Sequence, residues 1–331
     1  MMNDKPLVSI GLPVYNGEKY IELALDSLVS QDYKNFELII SDNASTDGTL
    51  GICKRYADRD ARIAVIENAE NHGASWNFQH VRDLARGSYF MWAAHDDLWD
   101  PNYISACVAL LDCRPNAVVC CSRVLFIDED GEPVDREFEN LDTTGEGVAD
   151  RLRTLLSQHF WCAIYGVMRT DQIQQITVGR RVWGADVVLL LEMLLSGEIV
   201  CSDDACLYYR VFHDKSIETM YHDIDPNRRD WPRHAPYTEM IVSMLKVVHA
   251  SKLARSQKLK SYTVIANMAL VSGPFLPQVI KVEQHTQFFR SYGQSDRRGV
   301  LHSAPLAFAM NPEMLWNRGA WSMLIRSLLA R

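Results

Sequence analysis

"SYFMWAAHDDLWDPNY", residues 88 to 103, runs from an apolar strand straight into two adjacent aspartates. Phe90, Met91 and Trp92 suit a buried strand. Asp96 and Asp97 carry like charges, whose repulsion is worst at the edge of a low-dielectric core. The stretch alone leaves two readings open. Asp and Pro are common turn residues, so the pair can be a solvated turn. Alternatively, a divalent cation sits between the carboxylates. The surrounding chain has to decide.

The same rhythm of apolar run and polar break precedes it. "LVSIGL" (7–12), "FELIIS" (36–41), "RIAVIE" (62–67) and "YFMWAA" (89–94) are short, rich in Val, Ile and aromatics, and bounded by Asn, Asp, Gly or Pro. Such runs predict buried strands. Between the first two, Ile21, Leu25 and Leu28 recur at helical spacing, and 49–58 and 74–86 also predict helices. This alternation implies an α/β fold with a doubly wound, mostly parallel sheet. Ligands bind beyond the carboxyl ends of the strands in such sheets. "PVYNGE", "DNASTDGT", "ENAENHGAS" and "HDD" fall at those four ends, so the acidic pair belongs to a cluster of polar loops. Further on, "AVVCCSRVLFID", "FWCAIYGVMR" (160–169) and "ACLYYRVFHDKS" (205–216) predict strands. "ADVVLLLEMLLSG" predicts a helix with Val187, Leu190, Leu191 and Leu194 buried, and the chain after about 235 reads as mostly helical.

The bulk numbers narrow the function. The chain has 331 residues, 47% of them hydrophobic, and a net charge of −8. That composition fits a globular protein, and the acidic balance argues against nucleic acid as a partner. None of the eight cysteines forms a CxxC, and no His cluster has zinc spacing. They read as reduced, small core residues, which implies a cytoplasmic setting. The opening "MMNDKPLVSIGLPVYNG" has no signal-peptide pattern.

Four stretches, "VSIGLPVYNGEKYI", "ELIISDNASTDGT", "NHGASWNFQHVRDLARGSYFMWAAHDDLWDPNYI" and "GADVVLLLEMLLSGEI", resemble the successive motifs of family 2 glycosyltransferases. The resemblance covers roughly residues 6 to 215. It implies the GT-A fold, a nucleotide-diphosphate sugar donor, and inversion at the anomeric carbon. It also implies a catalytic domain over 1–220, with a nucleotide-binding half (1–115) and an acceptor half (116–220), followed by a mostly helical extension (221–331).

The residues agree with that chemistry. Tyr15, following Pro13 on the first loop, can stack on a base or simply close the core edge. Asp42 and Asn43 can bond base or ribose groups, and can also form a turn or cap ahead of the helix at 49. Asn71 in "NHG" can touch the nucleotide or only make a turn, for which Gly73 gives freedom. Asp96 and Asp97 suit Mg2+ or Mn2+ shared with the diphosphate. By family position, Asp97 is the direct ligand and Asp96 the ribose or water contact. Asp186, at a helix start, falls where the family places its general base; a helix N-terminus also favours an acid for electrostatic reasons alone. Glu192 and Glu198 are weaker competitors. In "YYRVFHDKS", His213 could complete the metal shell and Arg210 or Lys215 could neutralise phosphate, or the segment is a solvated loop. His159, Trp161 and Tyr165 face the acceptor or pack the core. Two positions depart from the family pattern: Ala94 replaces a third acid, and Asn43 follows Asp42 where a second Asp is usual.

These features predict a non-processive enzyme that adds one sugar to a glycan or lipid-linked glycan. "QITVGRRVW" misses the Gln-x-x-Arg-Trp motif of processive relatives. A sugar-phosphate nucleotidyltransferase would want a Gly-rich loop with a following Lys, which "PVYNGEKY" lacks. A degenerate sugar-nucleotide-binding subunit is the other alternative; Ala94 favours it, and the retention of Asp97 with Asp186 opposes it. Lys252, Arg255, Lys258 and Lys260 precede twenty uncharged residues, but Pro274, Pro277 and Gln278 argue against a spanning helix. Near the end, Trp321, Leu324, Ile325 and Leu328 share a face beside Arg326. Such a helix lies on the inner face of an anionic membrane, or it caps the domain or a homodimer interface.

Overall fold

The computed structural model describes residues 5–136, 138–158, 161–180, 182–212 and 236–270. It divides into two compact units, Met1–Arg181 with Ala185–Asn227, and Val182–Gly184 with Arg228–Arg331. His159, His213, Lys215 and the segment from 271 onward lie outside the described residues.

The first unit is built on β1 (Val8–Val14), β2 (Phe36–Asp42), β3 (Ile63–Glu67) and β4 (Tyr89–Trp92), all paired in parallel. Every residue of β1, β2 and β4 is buried, the pattern of strands covered on both faces. Helices α1 (Ile21–Val29), α2 (Thr49–Ala57) and α3 (Ala74–Asp83) connect them. Ile21, Leu25 and Leu28 are fully buried, as their spacing predicts. Gly11 lets α3 approach closely: a Cβ there would lie 2.8 Å from Val81 Cγ2.

The sheet runs β3-β2-β1-β4 and continues through the remaining strands. Strand β1 therefore lies between β2 and β4, and the chain reverses its direction of travel across the sheet at that point. The crevice beyond the carboxyl ends of β1 and β4 is the topological switch point of this sheet.

The second half is mixed. After β5 (Leu98–Trp99) and α4 (Tyr103–Cys113) come β6 (Ala117–Ile127), β7 (Pro133–Val134) and α5 (Val148–Ser157). Then follow β8 (Val167–Arg169), α6 (Thr170–Ile173), α7 (Ala185–Ser196) and β9 (Glu198–Arg210). Strand β8 is antiparallel to β4 and β6, β9 is parallel to β6, and β5 is antiparallel to β9. Antiparallel partners thus enter only with the second half, beside the long parallel ladder of β6 and β9.

One predicted strand is corrected. Residues 160–169 do not form a continuous strand; Cys162–Tyr165 is a 3-10 turn and only Val167–Arg169 is extended. The joint is Gly166, where a Cβ would come within 2.6 Å of the Cys120 carbonyl. The chain has to turn tightly against β6 there, and that overrides the β preference of its side chains. Helix α7 is buried more widely than a single stripe: Val187 to Leu191, Met193 and Leu194 are all covered. All eight cysteines are free, and six are buried.

In the second unit, α8 (Pro236–Ala250) and α9 (Arg255–Leu270) pack on each other, with Met244, Val248 and Ile265 buried. Among the described residues no helix is long and apolar enough to cross a membrane.

Candidate active site

The loops after β1, β2 and β3 are stitched together by side chains. Asn16 Oδ1 accepts the Thr46 N–H at 2.8 Å, and its own N–H donates to Ser45 Oγ at 2.9 Å. The Gly17 N–H donates to Thr49 Oγ1 at 2.8 Å, and the Gly48 N–H to Glu18 Oε2 at 2.9 Å. Two non-glycine residues here adopt left-handed backbone, Asn16 (φ 51°) and Ala44 (φ 61°). Such a conformation costs about 1–3 kcal/mol and persists where the surroundings over-determine it. Asn16 was legible in the Asn-Gly dipeptide; nothing in the sequence marks Ala44.

Pro13 is buried within β1 opposite Ser41, while Tyr15 stands on the rim, 42% exposed. Asp42 is only 1% exposed. Its Oδ2 accepts the Ser45 N–H at 3.0 Å, and its Oδ1 has no partner among the described residues. Asn43 and Asn71 meet directly: Asn43 Nδ2 donates to Asn71 Oδ1 at 2.8 Å. The His72 N–H returns to Asn43 Oδ1, and the Gly73 N–H to Asn71 Oδ1. The loops after β2 and β3 are thereby locked to each other.

The acidic pair lies between β4 and β5, across the switch point. Pairing of Leu98 with Tyr208 zips this segment to the end of β9. Asp97 is 2% exposed; its Oδ1 accepts the Arg210 N–H at 2.8 Å, and its Oδ2 has no partner among the described residues. Burial first, and the neighbouring Asp96 charge second, push its pKa well above the usual carboxylate range. Asp96 is half-buried beside it. His95 packs against Gly17, where a Cβ would lie 2.6 Å from His95 Cδ2, so the acidic segment reaches the β1 loop.

Asp186 stands in the first turn of α7, half-buried, with the Val187 N–H donating to its Oδ1 at 2.8 Å. Burial raises its pKa. The two competing acids are differently placed. Glu192 pairs with Arg180 at 2.7 Å, and Glu198 with Arg151 at 3.4 Å. Burial first raises the pKa of both Cys162 and Tyr209, and the charges of Asp97 and Asp186 raise each further. The 3-10 turn that carries Cys162 packs against both β4 and α7. The sequence marks Cys162 only as a small core residue and gives Tyr209 no role of its own within "YYRVFHDKS". Trp161 has a buried indole N–H with no partner among the described residues, and the Tyr165 ring lies tilted to that of Tyr209, 6.3 Å between centroids.

A hard divalent cation fits this site. A buried carboxylate oxygen without a donor, beside a second carboxylate, is costly unless a positive charge approaches it. No three His, Cys, Asp or Glu side chains converge on one point among the described residues. Mg2+-type sites commonly use one or two carboxylates and take their other ligands from phosphate and water.

A GT-A sheet with an acidic pair at its switch point defines the class. Residues 9–171 match the model of glycosyl transferase family 2. The Rv1520 protein of Mycobacterium tuberculosis is 31% identical over 243 residues, 72% of this chain and 68% of that protein. The chain belongs to glycosyl transferase family 2. EpsE of Bacillus subtilis is 38% identical over 131 residues, 39% of this chain and 47% of EpsE. The chain thus spans about half the length of that relative. S. aureus TarS 1–349, solved with UDP-GlcNAc, shares the fold at a TM-score of 0.63 and 15% identity, over 90% of this chain and 89% of that one.

Proposed function

We propose that this chain transfers one sugar from a nucleotide-diphosphate sugar to a hydroxyl of a glycan or lipid-linked glycan, with inversion at the anomeric carbon. The observation that carries the reading is the buried, unpartnered Asp97 oxygen beside Asp96 at the switch point, with the 3-10 turn at Cys162 packed against both β4 and α7, the helix that carries Asp186. The UDP-GlcNAc held by TarS supports a donor of this class.

The nucleotide lies over the stitched loops. Tyr15 stacks on the base, and the free Asp42 oxygen accepts a base or ribose hydrogen bond. Pro13 and the Asn43–Asn71 pair fix the wall these groups stand on. Asp97 would hold Mg2+ or Mn2+ directly, with Asp96 as the ribose or water contact and His213 as a further candidate ligand; the cation, when bound, would supply charge neutralisation of the departing diphosphate. Asp186 takes the proton of the acceptor hydroxyl as that oxygen bonds to the anomeric carbon. The bond from that carbon to the diphosphate oxygen breaks on the opposite face, which gives inversion. Glu192 and Glu198 are paired with Arg180 and Arg151, which favours Asp186 as the base.

A lipid-linked acceptor agrees with the surface of the second unit. Arg255 and Lys260 of α9 and the preceding Lys252 are exposed, as is Leu259, and Lys258 is half-buried among them. The sequence has no acid between Glu239 and Glu283. Such a face favours peripheral contact with an anionic leaflet.

Thermal melts with UDP, dTDP or GDP, in Mn2+ or in EDTA, test the donor site. A nucleotide at about 100 times its Kd should add about 2.7 kcal/mol, and only with the cation present. Equal stabilisation in EDTA would remove the cation from the reading; none with any nucleotide would remove the donor.

A further inference from the structure

Arg210 ends β9 with its side chain buried, 4% exposed. Two of its nitrogens, Nε and Nη1, are spent on main-chain oxygens. Nε donates to the Asp96 carbonyl at 2.9 Å; Nη1 donates to the Asp128 carbonyl at 2.6 Å and the Glu129 carbonyl at 3.2 Å. The guanidinium lies over the Tyr20 ring, 4.5 Å from its centroid. Lys19 lies over the same ring at 4.7 Å and pairs with the Glu129 carboxylate at 3.1 Å. The Arg210 N–H meanwhile donates to Asp97 Oδ1. One residue therefore ties three segments together: the acidic pair, the turn after β6, and the start of α1.

This geometry differs from that of a phosphate-binding arginine, which presents its fork outward to oxygens of the ligand. We propose that Arg210 is a positioning residue for the cation site, fixing the Asp96 main chain and the Asp97 carboxylate from behind, and does not itself grip the diphosphate. The role rests on the function proposed above. A group that orients a metal ligand is worth roughly 10–100-fold in metal affinity. Lysine cannot replace Arg210 here, because a single ammonium cannot reach carbonyls on two separate segments in the geometry of a planar fork.

The test uses the full chain with UDP and Mn2+ as probes. Melting temperature is followed as Mn2+ is titrated at fixed UDP, for wild type, Arg210→Lys, Arg210→Gln and Tyr20→Leu, each also measured alone. Both Arg210 variants should need about 10–100-fold more Mn2+ for the half-maximal rise. Tyr20→Leu, which removes the ring but keeps apolar bulk, should shift the midpoint in the same direction by less. It carries the test if the Arg210 variants fail to fold. A role confined to folding would lower the melting temperature of the protein alone and leave the Mn2+ midpoint of the folded variants unchanged, which overturns the proposal. Near-normal Mn2+ and UDP midpoints for Arg210→Lys beside a loss in Arg210→Gln would overturn it in favour of a direct phosphate contact. A wild type that ignores UDP and Mn2+ would remove the proposed function, and this role with it.

Discussion

Asp97→Asn should make the protein more stable without ligand and unable to use the cation. In the folded chain one oxygen of Asp97 accepts the Arg210 N–H and the other has no described partner, at 2% exposure. Burial and the Asp96 charge raise its pKa above the unfolded value. The sign follows directly. A group whose folded pKa is raised favours folding below its unfolded pKa, and that contribution is lost as pH rises through the folded pKa. Above its folded pKa, an ionised Asp97 is therefore a cost. Asparagine keeps the acceptor for Arg210 and removes the charge, but leaves an unpaired N–H. An unsatisfied buried polar group costs about 1–3 kcal/mol and a charged one more, so the net gain should be about 1–2 kcal/mol. For a unit of roughly 200 residues this is a rise of about 2–8 °C in Tm. Melts in EDTA from pH 5 to 8.5 should show the variant above wild type at high pH, with the curves converging as pH falls. With Mn2+ and UDP the order should reverse, since only wild type gains. A variant that melts below wild type at every pH would show that the carboxylate stabilises the empty fold, and would refute the reasoning.

Other expectations follow from the same geometry. Burial raises Asp186, and a base works deprotonated, so kcat/KM should fall as pH drops through a value above the ordinary Asp pKa of about 3.9; an acid limb at or below that value would count against Asp186. Glu192→Gln should keep turnover within about threefold while losing up to about 1 kcal/mol of stability with the Arg180 pair; a loss of two decades in kcat would move the base to Glu192. Replacing Lys252, Arg255, Lys258 and Lys260 by Glu should weaken co-sedimentation with anionic vesicles at low salt, since each basic residue near such a surface is worth about 1 kcal/mol; unchanged sedimentation would detach this face from the membrane.

What could be seen in the sequence, and what could not, divides along the range of the interactions. The strands β1 to β4 were legible because each is a short apolar run closed by turn residues, and their polar ends located the site. Strand β5 has two residues and no pattern to detect; it exists because β9 lies beside it. The stretch 160–169 misled because its side chains favour strands, while Gly166 and the Cys120 carbonyl force a tight turn. In the site, the carboxylates stood out by type and position, but the partners of the other polar groups did not. Asn43 bonds Asn71 28 residues away, and Arg210 reaches Asp96 across 114 residues. Choices over such separations are made by tertiary packing, and local spacing carries no trace of them.

Release of nucleoside diphosphate from a panel of UDP-, dTDP- and GDP-sugars, by wild type and by Asp186→Asn, tests the proposed reaction most directly. Wild type should release it from one donor class in Mn2+ and stop in EDTA. Asp186→Asn should still gain melting temperature from that nucleotide with Mn2+, yet turn over at least about 10²-fold more slowly, the low end for removal of a general base. Release that ignores both EDTA and the Asp186 substitution, or no release from any donor, would contradict the assignment.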